Sequence, residues 1–161
     1  MRRIDFRSAR RADADAAWIV RTQAILSGCS SHYPQPLIEA WCAAAMPEDY
    51  GAMLEREGFV LAINGGRVLG FAGLKAAAQE VDAVFVHPEA AGRGLGAQLL
   101  AHVEAQARQL GFGAVTLHAS LNAVAFYAQN RYEQTGKGHH LTRSGLQIAC
   151  VHMLKRLDGA A

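Results

Sequence analysis

Val84-Phe85-Val86-His87-Pro88-Glu89-Ala90-Ala91-Gly92-Arg93-Gly94-Leu95-Gly96-Ala97 decides how this chain is to be read. A β-rich run ends at Pro88, a loop turns, and three glycines lead into the start of a helix. Unpaired backbone N–H groups and the positive end of the helix dipole converge at such a start. Glycines remove the Cβ atoms that would hold an anion away from the backbone, and Arg93 adds a charged donor at the rim. The arrangement favours an anion, and a diphosphate above all. The same residues satisfy the dinucleotide pattern G-x-G-x-x-A, but that pattern follows its strand at once, and here five residues separate Val86 from Gly92. The next strand, Ala114 to Ala119, also lacks the acidic ribose ligand at its end. A plain glycine-rich helix start is the other reading, which the rest of the chain must decide.

Working outward, Gly94 to Leu110 has Leu95, Leu99, Leu100, Val103 and Ala107 on one side, the stripe of an amphipathic helix ended by Gly111 and Gly113. Upstream, Glu80 to His87 reads as a strand, and Phe59 to Ile63 and Arg67 to Lys75 as two more joined by Asn64-Gly65-Gly66, residues that tolerate positive φ. The N-terminal part predicts a short strand over Ile4 to Ala9, then a helix that Asp13 can cap, with Trp18, Ile19, Ile25 and Leu26 at roughly helical spacing. Helices over Pro34 to Ala45 and Glu48 to Glu57 follow, with Pro47 between them. Downstream of the strand Ala114 to Ala119, a short helix covers Leu121 to Asn130. Strands at about Tyr132 to Leu141 and Leu146 to Leu157 flank a turn near Ser144-Gly145. Helices interrupting a hairpin-rich sheet give an α/β fold with mixed, mostly antiparallel strand directions rather than repeated βαβ units.

A length of 161 residues, 51% hydrophobic and 19% charged, suits one globular domain over 1–161 with a sizeable core. No apolar run approaches the ~20 residues that span a bilayer, and the basic N-terminus lacks the pattern of a secretory signal. Cys29, Cys42 and Cys150 are odd in number and widely spaced, which argues against a disulfide framework and suits a reducing cytoplasm. Net charge is only +2. The one dense basic patch, Arg2, Arg3, Arg7, Arg10 and Arg11, lacks interleaved aromatics and reads as a solvated terminal strand rather than a nucleic-acid surface.

From about residue 59 to 157 the chain resembles the GNAT acetyltransferases. Their acyl-CoA signature, R/Q-x-x-G-x-G/A after a strand, is met by Ala91-Gly92-Arg93-Gly94-Leu95-Gly96. The later Asn and Phe-Tyr helix are met by Asn122 and Phe126-Tyr127. Two positions depart from the pattern. Ala91 stands where the family has Arg or Gln, which removes one side-chain contribution but leaves the backbone cradle. Arg131 stands where a glycine usually ends the Phe-Tyr helix. Asn130 could take the left-handed position instead, freeing Arg131 to reach the 3′-phosphate of coenzyme A.

The resemblance implies a GNAT-like fold with a sheet of about seven strands, acetyl-CoA as co-substrate without a metal, and direct transfer of an acetyl group to a primary amine. It places the pantetheine arm beside Val81 to Val86, with the Val84 amide toward the thioester carbonyl and Val86 pairing with the arm. The diphosphate would lie on Gly92, Arg93, Gly94, Leu95, Gly96 and Ala97. Tyr127 is the general-acid candidate, because the family carries a tyrosine there near the sulfur. Asn122 caps its helix, contacts the arm, or does both, and Phe126 belongs to the same site.

Period-two alternation would place Glu80 and Asp82 with Val84 and Val86 on the cofactor's face of their strand. Either carboxylate could be the base. His32 and Tyr33 lie where such enzymes build the acceptor pocket. His118 reads as structural, Cys150 as core, and His139-His140 lacks a third metal ligand at suitable spacing. An amine acetyltransferase is the leading reading, with a small-molecule acceptor preferred. A non-catalytic acyl-CoA-binding sensor or interaction module is the second. The last hairpin offers an edge through which a homodimer could form.

Overall fold

The structure, a computed structural model, describes residues 3–157. Seven strands form one sheet: β1 Asp5–Ser8, β2 Val60–Asn64, β3 Arg67–Lys75, β4 Glu80–Val86, β5 Ala114–Ser120, β6 Glu133–Leu141 and β7 Gln147–Arg156. Their order is β1-β2-β3-β4-β5-β7-β6, antiparallel except where β4 meets β5. The expected α/β sheet with mostly antiparallel strands is therefore what forms. β2 and β3 are joined by Gly65 and Gly66 at φ 57° and 84°, the pair of positive values that a tight hairpin turn requires. β1 and β6 are the edges of the sheet, and β6 is mostly exposed.

Helices cover both faces. On one lies α4 Leu95–Gln109, whose Leu99, Leu100, Val103 and Ala107 are at most 1% exposed. Each such leucine contributes on the order of 2 kcal/mol by leaving water. α5 Val124–Gln129 shares this core through Tyr127. On the other face lie α1 Ala14–Gly28, α2 Gln35–Ala43 and α3 Tyr50–Arg56. No described helix is long and apolar enough to cross a membrane.

Four local expectations are corrected. In α1 the buried side is Ala17, Val20, Arg21 and Ile25, while Ile19 and Leu26 are exposed. Asp13 does not cap α1 with its side chain. Its carboxylate accepts from the Arg7 guanidinium at 2.8 and 2.9 Å and from the Arg10 N–H at 2.7 Å, and Arg7 holds its pKa below the usual range. Asn122 caps no helix either: it lies within a 3-10 turn, Leu121–Ala123, that precedes α5. Of the basic terminal patch, Arg3 and Arg7 pair with Asp5 and Asp13, and Arg2 lies outside the described residues.

The fourth correction concerns the end of α5. Asn130 keeps a negative φ of −98°, and Arg131 itself takes the left-handed position at φ 73°. The Tyr132 N–H bonds the Tyr127 carbonyl at 3.0 Å and the Arg131 N–H bonds the Ala128 carbonyl at 3.1 Å. This closure requires positive φ at position 131, the first residue past the helix end, whichever residue stands there. Arg131→Gly is accordingly expected to stabilise the protein by roughly 1 kcal/mol, read as a rise of about 3 °C in melting temperature. An unchanged or lower melting temperature would show that the arginine is not strained.

Candidate active site

β4 and β5 run parallel but pair at a single position, Glu80 with Thr116, and then splay apart. The sheet therefore opens into a cleft of about 1120 Å³ between their C-terminal ends. On its other side β4 stays paired to β3, from Lys75 with Glu80 to Gly70 with Val86. The His87 N–H donates to Leu69 O at 2.7 Å, so from Ala83 onward the odd-numbered residues of β4 turn their amides to β3. By alternation Val84 and Val86 turn theirs into the cleft, where no strand pairs with them.

The glycine loop forms one end of this cleft. Gly92 and Gly94 have φ of 78° and 80°, and Gly94 is the residue before α4. A Cβ at either would meet nothing within 4 Å. The space above this backbone is open, and positive φ, rather than crowding, is what selects glycine. Gly96 differs: its Cβ would come 3.1 Å from the Phe126 ring, so it is small in order to let α5 close over α4. Gly96, Ala97, Asn122 and Phe126 line the cleft, while the Leu95 side chain is 6% exposed and belongs to the core. The exposed Arg93 and Arg131 are not among the lining residues.

Tyr127 reaches the cleft from the α4 side of the sheet. Its ring lies edge-on to Phe126 and Tyr132, with centroids 5.0 and 5.6 Å away. Burial pushes its hydroxyl pKa far up, so it stays protonated throughout the physiological range. Behind it, the Tyr132 hydroxyl donates to Glu104 at 2.8 Å, and Lys155 pairs with the same carboxylate at 3.0 Å.

The face expected for the strand carboxylates is also corrected. Gly73 pairs with Ala83 and Leu74 with Val81, leaving Asp82 as the extra residue of a β-bulge. The bulge shifts the alternation by one. Val81 therefore joins Val84 and Val86 in the core under α4, while Ala83 and Phe85 face α1. Both Glu80 and Asp82 line the cleft, but not through a shared period of two. Asp82 is open at the mouth yet ringed by protein, and the loss of water pushes its pKa up. Glu80 lies 3.4 Å from Nε2 of His118.

His118, read from the sequence as structural, is part of the cleft wall. Its ring packs against His152 at 4.6 Å and His140 at 6.0 Å. Burial lowers the pKa of His140. Among the described residues, His118, Cys150 and His152 are the group compact enough to hold a metal ion, with ligand atoms within 4.8 Å of one another. Burial pushes the Cys150 thiol up, which works against the thiolate such a site needs. The His139-His140 dipeptide contributes nothing to this group.

His32 and Tyr33 are not brought to the cleft. Tyr33 is buried, donates to the Ala149 carbonyl at 2.6 Å and accepts from the Leu121 N–H at 2.9 Å. It ties the loop after α1 to β7. The exposed His32 contacts Ser31 Oγ at 3.0 Å. Trp18, Arg21, Trp41, Tyr50, Phe85 and Arg143 line the cleft instead. The nearest sequence signal was the aromatic content of α1 and α2. Asn122 turns out to accept from Cys29 Sγ at 3.2 Å, which fixes the turn before α5 against the end of α1.

The chain belongs to the GNAT acetyltransferase family: the family model described as an acetyltransferase (GNAT) domain matches residues 29–157. It is similar to the GCN5-related N-acetyltransferase of Rhodopseudomonas palustris, with a TM-score of 0.86, 28% identity and 94% of each chain covered. A PaiA N-acetyltransferase from Thermoplasma acidophilum, solved in complex with coenzyme A, has a TM-score of 0.71 at 22% identity, covering 96% of this chain and 99% of that one. A phosphinothricin acetyltransferase from Sinorhizobium meliloti, solved with acetyl-CoA, has a TM-score of 0.68 at 20% identity, covering 95% and 88%. No curated protein sequence matches the chain.

Proposed function

We propose that this protein transfers the acetyl group of acetyl-CoA directly to a primary amine on a small molecule. The observation that carries the reading is the run of inward-facing β4 amides leading to the open glycine turn, in one cleft with Tyr127, Glu80 and Asp82. The coenzyme-bound relatives of the same fold support it. Acetyl-CoA supplies the thioester. The backbone of Gly92–Ala97 at the α4 N-terminus holds the diphosphate, with charge-assisted N–H bonds and the helix dipole in place of the side chain missing at Ala91. Val84 polarises the acyl carbonyl and Val86 orients the arm. Tyr127 donates its proton to the departing thiolate. Asp82 takes the amine proton, because the bulge leaves it unpaired and its raised pKa suits that work better than an ordinary carboxylate's. Glu80, engaged with His118, is the second candidate base.

Calorimetric titration with acetyl-CoA tests the reading directly. Binding that weakens with dephospho-coenzyme A and raises the melting temperature is expected by linkage. No binding at millimolar ligand would overturn it. If Arg131 contacts the 3′-phosphate, Arg131→Gly removes the difference between coenzyme A and its dephospho form.

The base assignment predicts a pH signature. Activity needs the Asp82 carboxylate ionised, so kcat/KM rises with pH through a pKa above the ordinary aspartate range. Asp82→Asn lowers it about 100-fold and removes that limb. The same upward shift costs stability as pH rises through it, since the folded state holds the proton more tightly. Asp82→Asn therefore raises the melting temperature at neutral pH and not below the unfolded-state pKa. A limb that survives Asp82→Asn and disappears in Glu80→Gln would assign the base to Glu80.

A further inference from the structure

Arg21 is a buried cation in the wall of the cleft, with no counter-ion among the described residues. It is 9% exposed and lines the cleft from α1 beside Trp18. Its guanidinium lies 4.1 Å from the centroid of the Trp18 ring. It donates to the Trp41 carbonyl at 3.1 Å and to Thr22 Oγ1 at 3.4 Å. Among the described residues its other N–H donors have no acceptor, and no carboxylate comes within ion-pairing distance of it.

The contrast with the rest of the molecule is plain. Lys155 has Glu104, and even the less buried Arg7 has Asp13. The titratable groups whose charge bears on Arg21 are Cys42 and Tyr50, and burial pushes both of their pKa values up, so both are neutral at physiological pH. A buried guanidinium with unused donors is costly unless an anion completes it. Arginine's planar fork matches a carboxylate.

Resting on the acetyl-transfer reading, we propose that Arg21 binds the carboxylate of the acceptor, so that the acceptor is an amino acid or a close amino-carboxylate analogue. The two ends of such a molecule meet opposite charges in one cleft, the carboxylate at Arg21 and the amine at Asp82 or Glu80. Trp18, Trp41, Tyr50 and Phe85 surround the space between them, which favours an apolar side chain over a polar one. Polyamines and other acceptors bearing only positive charge are excluded, because they would place a cation against an uncompensated one.

The test uses the full chain and two readouts. N-acetyl-phenylalanine and N-acetyl-methionine, each beside its carboxamide, are titrated by calorimetry, which needs no turnover. The acids are expected to bind about 10- to 100-fold more tightly than the amides, a ratio that collapses toward one in Arg21→Gln and is partly kept in Arg21→Lys. A merely structural arginine would lower the melting temperature of both variants and leave the acid-to-amide ratio unchanged. Acetylation of phenylalanine and methionine is then compared with that of phenylethylamine and 3-methylthiopropylamine, which lack the carboxylate. Equal binding of acids and amides, or no binding of either, overturns the carboxylate assignment. Equal acetylation of the amino acids and the decarboxylated amines overturns it too, and leaves acetyl transfer standing. Acids that bind through Arg21 in a protein that acetylates no amine would keep the subsite and overturn the transfer reading.

Discussion

Tyr127→Phe lowers kcat about 100-fold and leaves acetyl-CoA affinity unchanged within a factor of two or so. The substitution removes one hydroxyl from a ring held edge-on between Phe126 and Tyr132, so the packing of α5 against α4 survives. What disappears is a donor that burial keeps protonated at every pH where the enzyme would work. A thiolate leaving without that proton leaves as a poorer group, and the loss falls on kcat because it is made only as the bond breaks. Steady-state kinetics with calorimetry on the same preparation measure both halves. An unchanged kcat would remove Tyr127 from the chemistry. A protein that binds acetyl-CoA and shows no turnover with or without Tyr127 would be a sensor.

Lys155→Met is expected to cost about 3 kcal/mol, read as a fall of about 10 °C in melting temperature. Lys155 and Glu104 pair at 3.0 Å with side chains 17% and 7% exposed, and Tyr132 donates to the same carboxylate. Removing the ammonium strands a carboxylate in the core beneath β7, which is far worse than never having had the pair. The double variant Glu104→Gln with Lys155→Met should recover most of the loss, since no charge is then left behind. Additive losses in the double variant would show that the two side chains do not stabilise each other. The arrangement also bears on the site, because Tyr132, anchored by Glu104, supports the ring of Tyr127. The single variant should therefore lower kcat at temperatures well below its melting point.

Much of the fold was legible because it rests on short-range rules. Asn64-Gly65-Gly66 could only be a hairpin turn, and the leucine stripe after Gly94 could only be one face of a helix on a sheet. The glycines at 92 and 94 announced backbone that ordinary residues adopt at a cost. The departures also have local causes. Asn130 was the better left-handed residue by preference, yet the closure of α5 sets which position must be left-handed, and that position holds Arg131. Alternation along β4 failed because a bulge is decided by the pairing of two strands, Gly73 and Leu74 opposite Ala83 and Val81, and not by either strand alone.

The sequence by itself determined the mixed sheet and the glycine turn, since each is written in neighbouring residues whose preferences the backbone follows directly, and its motifs carried the resemblance to the family. Only the tertiary structure decided which other residues wall the cleft. It brought Arg21 of α1, Trp41 of α2, Asp82 of β4 and His118 of β5 to one cleft, and it drew Tyr33 away to clamp β7. Burial and charge pairing depend on what packs against a residue. No local pattern records that Arg21 would have no carboxylate partner among the described residues, because pairing depends on what the fold packs beside it.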